Sequence, residues 1–109
     1  MTSVMSPSPL PESYIARFPP TPLAPVRLAD DDPVVWCKLE FLNPSGSTKD
    51  RIARHMLEKA WRRGDIGPGG SVVESSSGST SIALALACAQ LGLGFTAVMP
   101  EGVSRERLL

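Results

Sequence analysis

One lysine stands out because the residues around it could give it chemistry. In the segment FLNPSGSTKDRIARH, Lys49 follows Pro44, Gly46 and three small hydroxyl residues where an apolar strand gives way to a helix. The positive end of a helix dipole disfavours an ammonium by roughly 0.3–1 kcal/mol, and burial likewise favours the neutral amine. A neutral amine attacks aldehydes, so this position is compatible with Schiff-base chemistry at Lys49. Taken alone, however, the lysine is better explained as a surface residue at a helix start, paired with Asp50 or Glu40.

A second loop has the composition of an anion-binding site. The segment ESSSGST, residues 74–80, follows a short apolar strand and precedes an apolar helix. Glycine lets the backbone approach a ligand closely, and free N–H groups at a helix start favour an anion. The loop therefore predicts a carboxylate or phosphate cradle, and the alternative is an ordinary serine-rich helix cap.

The apolar pattern from residue 34 onwards predicts the elements that position these loops. We expect strands at 34–42, 71–75 and 95–100 and helices at 48–63, 80–93 and 104–109. Ser47 or Thr48 can cap the first helix, and Gly64 suits the position just past its end. The order β-α-β-α-β-α is typical of a three-stranded parallel α/β sheet with flanking helices. Ligands bind at the carboxyl ends of such strands, where both loops are expected to lie.

The N-terminal part of the chain differs in composition. Eight of the 11 prolines lie within residues 1–33, and repeated proline disfavours helix, so we expect an extended arm or loop wrapped over the body. Residues 34–109 form the predicted α/β domain. The helix at 80–93 is apolar on nearly all sides, and the last helix carries no stop signal. We therefore expect the N-terminal part of a longer protein.

Composition excludes several classes of function. The 11 basic and 11 acidic residues balance, which argues against a nucleic-acid partner. The sequence has neither a signal peptide nor the about 20 apolar residues of a membrane span, so we expect a cytoplasmic protein. Cys37 and Cys88 lack metal-ligand spacing, and buried reduced thiols are favoured over a disulfide. We interpret His55, the single histidine, as structural or surface, Trp36 and Trp61 as packing residues, and expect no metal site.

Taken together, the motifs resemble one family. NPSGSTKDR at 43–51 resembles the cofactor-lysine motif of the fold-type II pyridoxal-phosphate enzymes, in the form found in cysteine synthase and cystathionine β-synthase. VVESSSGSTSIALALA at 72–87 resembles the substrate-carboxylate loop and following helix of the same family. TPLAPVRL at 21–28 is similar to its N-terminal Thr-Pro-Leu segment, and FTAVMPEGVSRERLL at 95–109 resembles the beginning of its smaller domain. The resemblance implies a tryptophan synthase β-like α/β fold, of which residues 34–109 form a partial catalytic domain.

The resemblance also implies roles for individual residues. Lys49 would hold pyridoxal 5'-phosphate as a Schiff base and then remove the α-proton of the substrate. Ser79 stands where the family usually has an asparagine that contacts the cofactor's 3'-hydroxyl, and Ser81 replaces a common glycine. The residues that would bind the substrate α-carboxylate are Ser76, Ser77, Gly78 and Thr80.

The implied activity is β-replacement or β-elimination on a small amino acid. O-acetylserine, serine and cysteine are the expected substrates, within amino-acid metabolism and cysteine biosynthesis, and a homodimer is also implied. In this family the loop that grips the cofactor phosphate lies downstream of the matched region, so we expect an incomplete or truncated chain. The alternative is an inactive fragment or a non-catalytic α/β binding module, and covalent cofactor binding at Lys49 distinguishes the two.

Overall fold

The computed structural model describes residues 7–14, 20–76 and 78–102 of the 109-residue chain. In chain order its elements are β1 (Leu23–Val26), β2 (Val35–Lys38), a 3-10 turn (Glu40–Leu42), α1 (Asp50–Arg63), β3 (Ser71–Ser75), α2 (Ser79–Leu91) and β4 (Gly94–Val98). The helix expected at 104–109 lies outside the described residues. None of the described helices has the length and apolar character needed to span a membrane.

The parallel part of the fold is built from β3, α2 and β4. Ser71 lies opposite Gly94 and Ser75 opposite Val98 in a parallel pair. Parallel strands need a crossover connection, and α2 supplies it. The predicted α/β class, a parallel sheet with flanking helices, is therefore confirmed, and β3 has the predicted bounds.

The strand predicted at 34–42 does not join this sheet. It is reduced to β2, which pairs antiparallel with β1, so Leu23 lies opposite Lys38 and Val26 opposite Val35. The short connection between the two strands permits a hairpin, whereas a parallel pair would need a longer crossover. The predicted three-stranded parallel sheet is therefore wrong. The predicted arm at 1–33 contributes β1, and a domain boundary at 33–34 stays a prediction.

The core lies between α1, α2 and one face of the β3–β4 sheet. Helix α1 buries Ala53, Leu57 and Trp61 along one stripe at a spacing of four. Val72 and Phe95 of the sheet pack against the core cluster with part of their surface exposed. Helix α2 contacts α1 on one side and both strands on the other, which explains why its sequence is apolar nearly all round. Its buried residues are Ser81, Ala83, Leu84, Ala87, Cys88 and Leu91.

The histidine prediction agrees with the structure, and the cysteines and tryptophans divide. Cys37 and Cys88 are both free thiols, but only Cys88 is fully buried, so the expectation of a buried thiol is wrong for the partly exposed Cys37. His55 is exposed on α1. Trp61 is 2% exposed and packs as predicted, whereas Trp36 is 63% exposed. The prediction for Trp36 is wrong within this chain because the β1–β2 hairpin contributes nothing to the buried core cluster.

The described part of the arm at 8–14 is fixed across both helices. The Arg54 guanidinium lies 5.4 Å from the centre of the Tyr14 ring, close enough for a cation–π contact. Hydrogen bonds run from Trp61 Nε1 to the Ser8 carbonyl (2.5 Å), from Ser13 Oγ to the Gln90 carbonyl (2.6 Å) and from the Tyr14 hydroxyl to Glu58 Oε1 (2.7 Å). Residues 8–14 are therefore held against both helices, and a proline-rich arm that spans 1–33 stays a prediction.

Tyr14 makes this packing measurable because it is the only tyrosine. Burial, followed by the hydrogen bond to the Glu58 carboxylate, raises the pKa of Tyr14 from 10.0 to about 12. We expect a tyrosinate absorbance titration to show a midpoint near 12, and Glu58→Gln to lower it. The pKa of Tyr14 is higher in the folded than in the unfolded chain. The stability that its protonated hydroxyl contributes is therefore complete below pH 10 and lost as the pH rises towards 12. An unshifted midpoint in the native chain would contradict the packed arm.

Candidate functional site

The loop that carries Lys49 is folded back on itself before the helix begins. The Gly46 N–H donates to the Asn43 carbonyl at 2.8 Å, and Gly46 has a φ of +79°, which other residue types rarely adopt. The buried Asn43 Nδ2 donates to the Ser47 carbonyl at 2.9 Å and to Glu40 Oε2 at 2.8 Å. The side chain of Asn43 therefore fixes both ends of the turn.

Lys49 itself occupies the position before the first helical residue. Its φ and ψ of −87° and −8° lead directly into α1, and no side chain caps the helix there. The prediction that Ser47 or Thr48 caps α1 is therefore wrong. Instead, Ser47 Oγ accepts a hydrogen bond from the Lys49 N–H at 3.1 Å, which satisfies the backbone donor just ahead of the helix.

Asp50, the first residue of α1, binds back across the loop. It is only 2% exposed, and its two carboxylate oxygens accept the Ser45 N–H at 3.1 and 3.3 Å. The Ser45 hydroxyl donates to the same carboxylate at 2.5 Å. We refer to this Ser45–Asp50 contact as the clasp.

Glu40 joins the hairpin, the loop and the helix. Its carboxylate accepts from Arg51 Nε at 2.9 Å, from the Thr21 hydroxyl and from Asn43 Nδ2, and it pairs with Lys38 Nζ at 3.4 Å. The hydrogen bonds from Arg51, then from Thr21 and Asn43, lower the pKa of this carboxyl from 4.5 to about 2. Glu40 is therefore a charged hub that joins the hairpin to the loop and to α1.

The Lys49 amine is left without a partner. It is partly buried, and no residue within 7–14, 20–76 or 78–102 forms a hydrogen bond or ion pair with it. The pairing with Asp50 or Glu40 that the alternative required is wrong, because both carboxylates bind other groups. An amine at a helix start with no partner among the described residues is open to reaction with an aldehyde.

The second loop is closed by contacts within its own residues. Ser76 Oγ accepts the Gly78 N–H at 3.3 Å, and the buried Ser81 hydroxyl donates to the Ser76 carbonyl at 2.5 Å. Gly78 holds the cap position of α2 and has no side chain, so a serine cap there is wrong. The first N–H groups of a helix lack intrahelical acceptors and are available to an anion.

The structure gathers most of the predicted carboxylate-binding residues at one place. Ser77 lies outside the described residues. The other members, together with Ser79, lie at or just before the N-terminus of α2 with part of their surface exposed: Ser76, Gly78, Ser79 and Thr80. Their proposed roles stay predictions. In the described part of the chain, no group of three or more His, Cys, Asp or Glu side chains could hold a metal ion.

Sequence reasoning did not identify the residues that hold the Lys49 loop. The clasp and the Glu40 hub depend on the orientations of polar side chains, and the spacing of apolar residues in the sequence carries no information about these. One signal was present, because an acidic residue in the first turn of a helix after a hydroxyl-rich loop is a typical backbone anchor.

Asn43 also carries a buried Oδ1 to which no described residue donates.

Known proteins share both the sequence and the fold. Residues 17–109 match the family described as pyridoxal-phosphate dependent enzyme. A cysteine synthase from Staphylococcus aureus strain Mu50 is 49% identical over 89 residues, which cover 80% of this chain and 29% of that protein. An N-(2-amino-2-carboxyethyl)-L-glutamate synthase from Cupriavidus metallidurans is 47% identical over 98 residues, which cover 88% of this chain and 29% of that protein.

A solved structure extends the likeness to the fold. The crystal structure of an O-ureido-L-serine synthase is 40% identical with a TM-score of 0.76, over 81% of this chain and 28% of that one. The chain thus spans 29% of the length of these two curated relatives. Because the family match covers most of the sequence, the chain belongs to the pyridoxal-phosphate-dependent enzyme family.

Proposed function

We propose that this chain forms the cofactor-lysine and substrate-carboxylate part of an enzyme that performs β-replacement or β-elimination on a small amino acid. O-acetylserine, serine and cysteine are the proposed substrates, supported by relatives that are named cysteine synthase. The observation that carries the proposal is that Lys49 is partly buried and its amine has no partner in the part of the chain that the structure describes. Two carboxylates lie close to it in sequence, and both are bound elsewhere.

The residues present fit pyridoxal 5'-phosphate. Its aldehyde requires an amine that is neither paired nor crowded, and Lys49 follows a loop of glycine and small hydroxyl residues. When bound, the cofactor supplies an electron-withdrawing ring that stabilises negative charge at the substrate α-carbon. Lys49 would hold the cofactor covalently, and its free Nζ would serve as the base that accepts the α-proton.

The start of α2 is proposed to bind the substrate carboxylate. Ser76 and Thr80 bring hydroxyl donors, and Gly78 leaves the backbone N–H groups open to close approach. The Ser81 hydroxyl holds the Ser76 carbonyl and so fixes the loop in one shape. Ser79, with a short side chain, is proposed to face the cofactor.

The direct test is covalent capture of the cofactor by the purified chain. Pyridoxal phosphate is added, the absorbance spectrum is recorded, and borohydride reduction is followed by peptide mapping. We expect an adduct at Lys49 that is absent in Lys49→Ala. Lys59→Ala is the matched control, since Lys59 is exposed on the same helix, and it should capture the cofactor normally.

The opposite result has a definite meaning. Labelling spread equally over Lys38, Lys49 and Lys59 would show that Lys49 is not a privileged amine. That outcome would overturn the proposal and favour an inactive fragment or a non-catalytic α/β binding module.

A further inference from the structure

The buried carboxylate of Asp50 is not explained by ion pairing. No cationic side chain among the described residues bonds to it, although it is only 2% exposed. A buried carboxylate is costly unless hydrogen bonds replace its water. Here the replacement comes from the Ser45 N–H and hydroxyl, together with the N-terminus of α1.

The clasp reaches Lys49 through a directed chain of hydrogen bonds. A carboxylate can only accept, so the single Ser45 hydroxyl proton points to Asp50. The Ser45 and Ser47 hydroxyl oxygens lie 3.2 Å apart, and Ser47 must therefore be the donor of that pair. The lone pairs of Ser47 Oγ then remain for the Lys49 N–H at 3.1 Å. Asp50 thereby orders the hydroxyls that hold the backbone of the lysine.

The clasp also bears on whether the Asp50 carboxylate can form an ion pair with Lys49. Asp50 is the next residue in the chain, and a released carboxylate there would be free to pair with the Lys49 ammonium. Such a pair would stabilise the charged amine, which cannot attack an aldehyde. While the clasp is closed, Asp50 is bound to Ser45 and Lys49 stays unpaired among the described residues.

We infer that Asp50 is a positioning residue for Lys49. Through Ser45 and Ser47 it holds the backbone of the lysine, and the clasp keeps the Asp50 carboxylate itself from pairing with the Lys49 amine. The inference rests on the proposed function, because it assigns a purpose to an unpaired Lys49. It adds a residue that acts on the lysine without contacting the cofactor or the substrate.

The test measures the amine itself and requires no cofactor. The full 109-residue chain is acetylated with acetic anhydride at a series of pH values, and peptide mass spectrometry gives the extent at Lys38, Lys49 and Lys59. Ser45→Ala removes the hydroxyl donor and leaves Asp50 held by the residue 45 N–H alone. In this weakened clasp we expect the Lys49 profile to move to higher pH by about one pH unit, which is about a tenfold loss of labelling at neutral pH. The exposed Lys59 should be unchanged and serves as the internal reference.

A second substitution separates this role from a merely structural one. In the double variant Ser45→Ala, Asp50→Ala no carboxylate remains to pair, so the Lys49 profile should return to its position in the wild-type chain. A general loss of structure would move both variants in the same direction. If Ser45→Ala does not fold, Asp50→Glu carries the same test, because its longer side chain displaces the carboxylate from Ser45 and should move the profile to higher pH.

The outcomes that overturn the inference are specific. An unchanged Lys49 profile in a folded Ser45→Ala chain would do so, and so would an equal shift in the double variant. Failure of pyridoxal phosphate to label Lys49 in the wild-type chain is a different result. That failure would overturn the proposed function, while the acetylation series would still report whether the clasp governs the amine.

Discussion

Replacing Trp61 with alanine is expected to lower the free energy of unfolding by about 3–5 kcal/mol. The indole is 2% exposed and lies in the core that α1 and α2 share, so its removal leaves a large cavity. The substitution also removes the donor to the Ser8 carbonyl, which helps to hold the arm across the helices. Domains of this size have a total stability of about 5–15 kcal/mol, so the substitution should remove a large fraction of it.

The chain supplies its own control for this prediction. Trp36→Ala removes the same side chain from the hairpin, where it is 63% exposed, and should change the free energy of unfolding by less than about 0.5 kcal/mol. Trp61→Phe should fall between the two alanine variants, since it keeps most of the volume and loses the hydrogen bond. Urea unfolding followed by circular dichroism measures all three. Equal costs for the two alanine variants would show that the α1–α2 core does not dominate stability.

Replacing Glu40 with alanine is expected to disconnect the hairpin from the Lys49 loop and from α1. Thr21, Asn43 and Arg51 would all lose their shared acceptor. Because Asn43 also holds the Ser47 carbonyl, the loop should loosen, and capture of pyridoxal phosphate at Lys49 should slow by about tenfold or more. Glu12→Ala, at an exposed residue of the arm, is the matched control and should leave capture unchanged.

The same carboxylate predicts a dependence of stability on pH. The folded pKa of Glu40 is lowered to about 2 from an ordinary value of 4.5, so its contribution is complete above pH 4.5 and lost as the pH falls towards 2. We expect the free energy of unfolding of the wild-type chain to decline over this window, and Glu40→Gln to flatten the decline. Gln removes the charge and replaces one accepting oxygen by an amide nitrogen, which cannot accept the hydrogen bonds made to that oxygen. A decline of unchanged size in Glu40→Gln would assign it to other carboxylates.

Local patterns in the sequence were sufficient for several elements. The bounds of β3 and the end of α1 follow from apolar periodicity and from Gly64, because these signals depend on neighbouring residues. Helix α2 ends at Leu91, two residues before the predicted end, because Gly92 adopts a left-handed conformation. The two loops could be selected for the same reason, since a lysine or a serine cluster at a helix start has chemical meaning by itself. The parallel connection through α2 also follows from the order of elements.

Other features depend on partners that no local pattern specifies. The sequence of residues 35–38 predicts a strand but does not specify its partner or direction. Its antiparallel pairing with β1 follows from the short hairpin connection, which contains no helix. The packing of Tyr14 and Trp61 joins residues more than 40 positions apart, through contacts that exist only once both helices have formed.

The site divides in the same way. The sequence by itself singled out Lys49 through its residue type, small neighbours and helix start, and the resemblance of NPSGSTKDR to a cofactor-lysine motif made it the candidate nucleophile. Only the tertiary structure decided that its amine has no partner among the described residues, because this depends on which groups the carboxylates of Glu40 and Asp50 bind. Asp50 accepts hydrogen bonds from Ser45, and Glu40 accepts them from Arg51 and Thr21. Each carboxylate is partly or fully buried and therefore bonds to the donors within its reach.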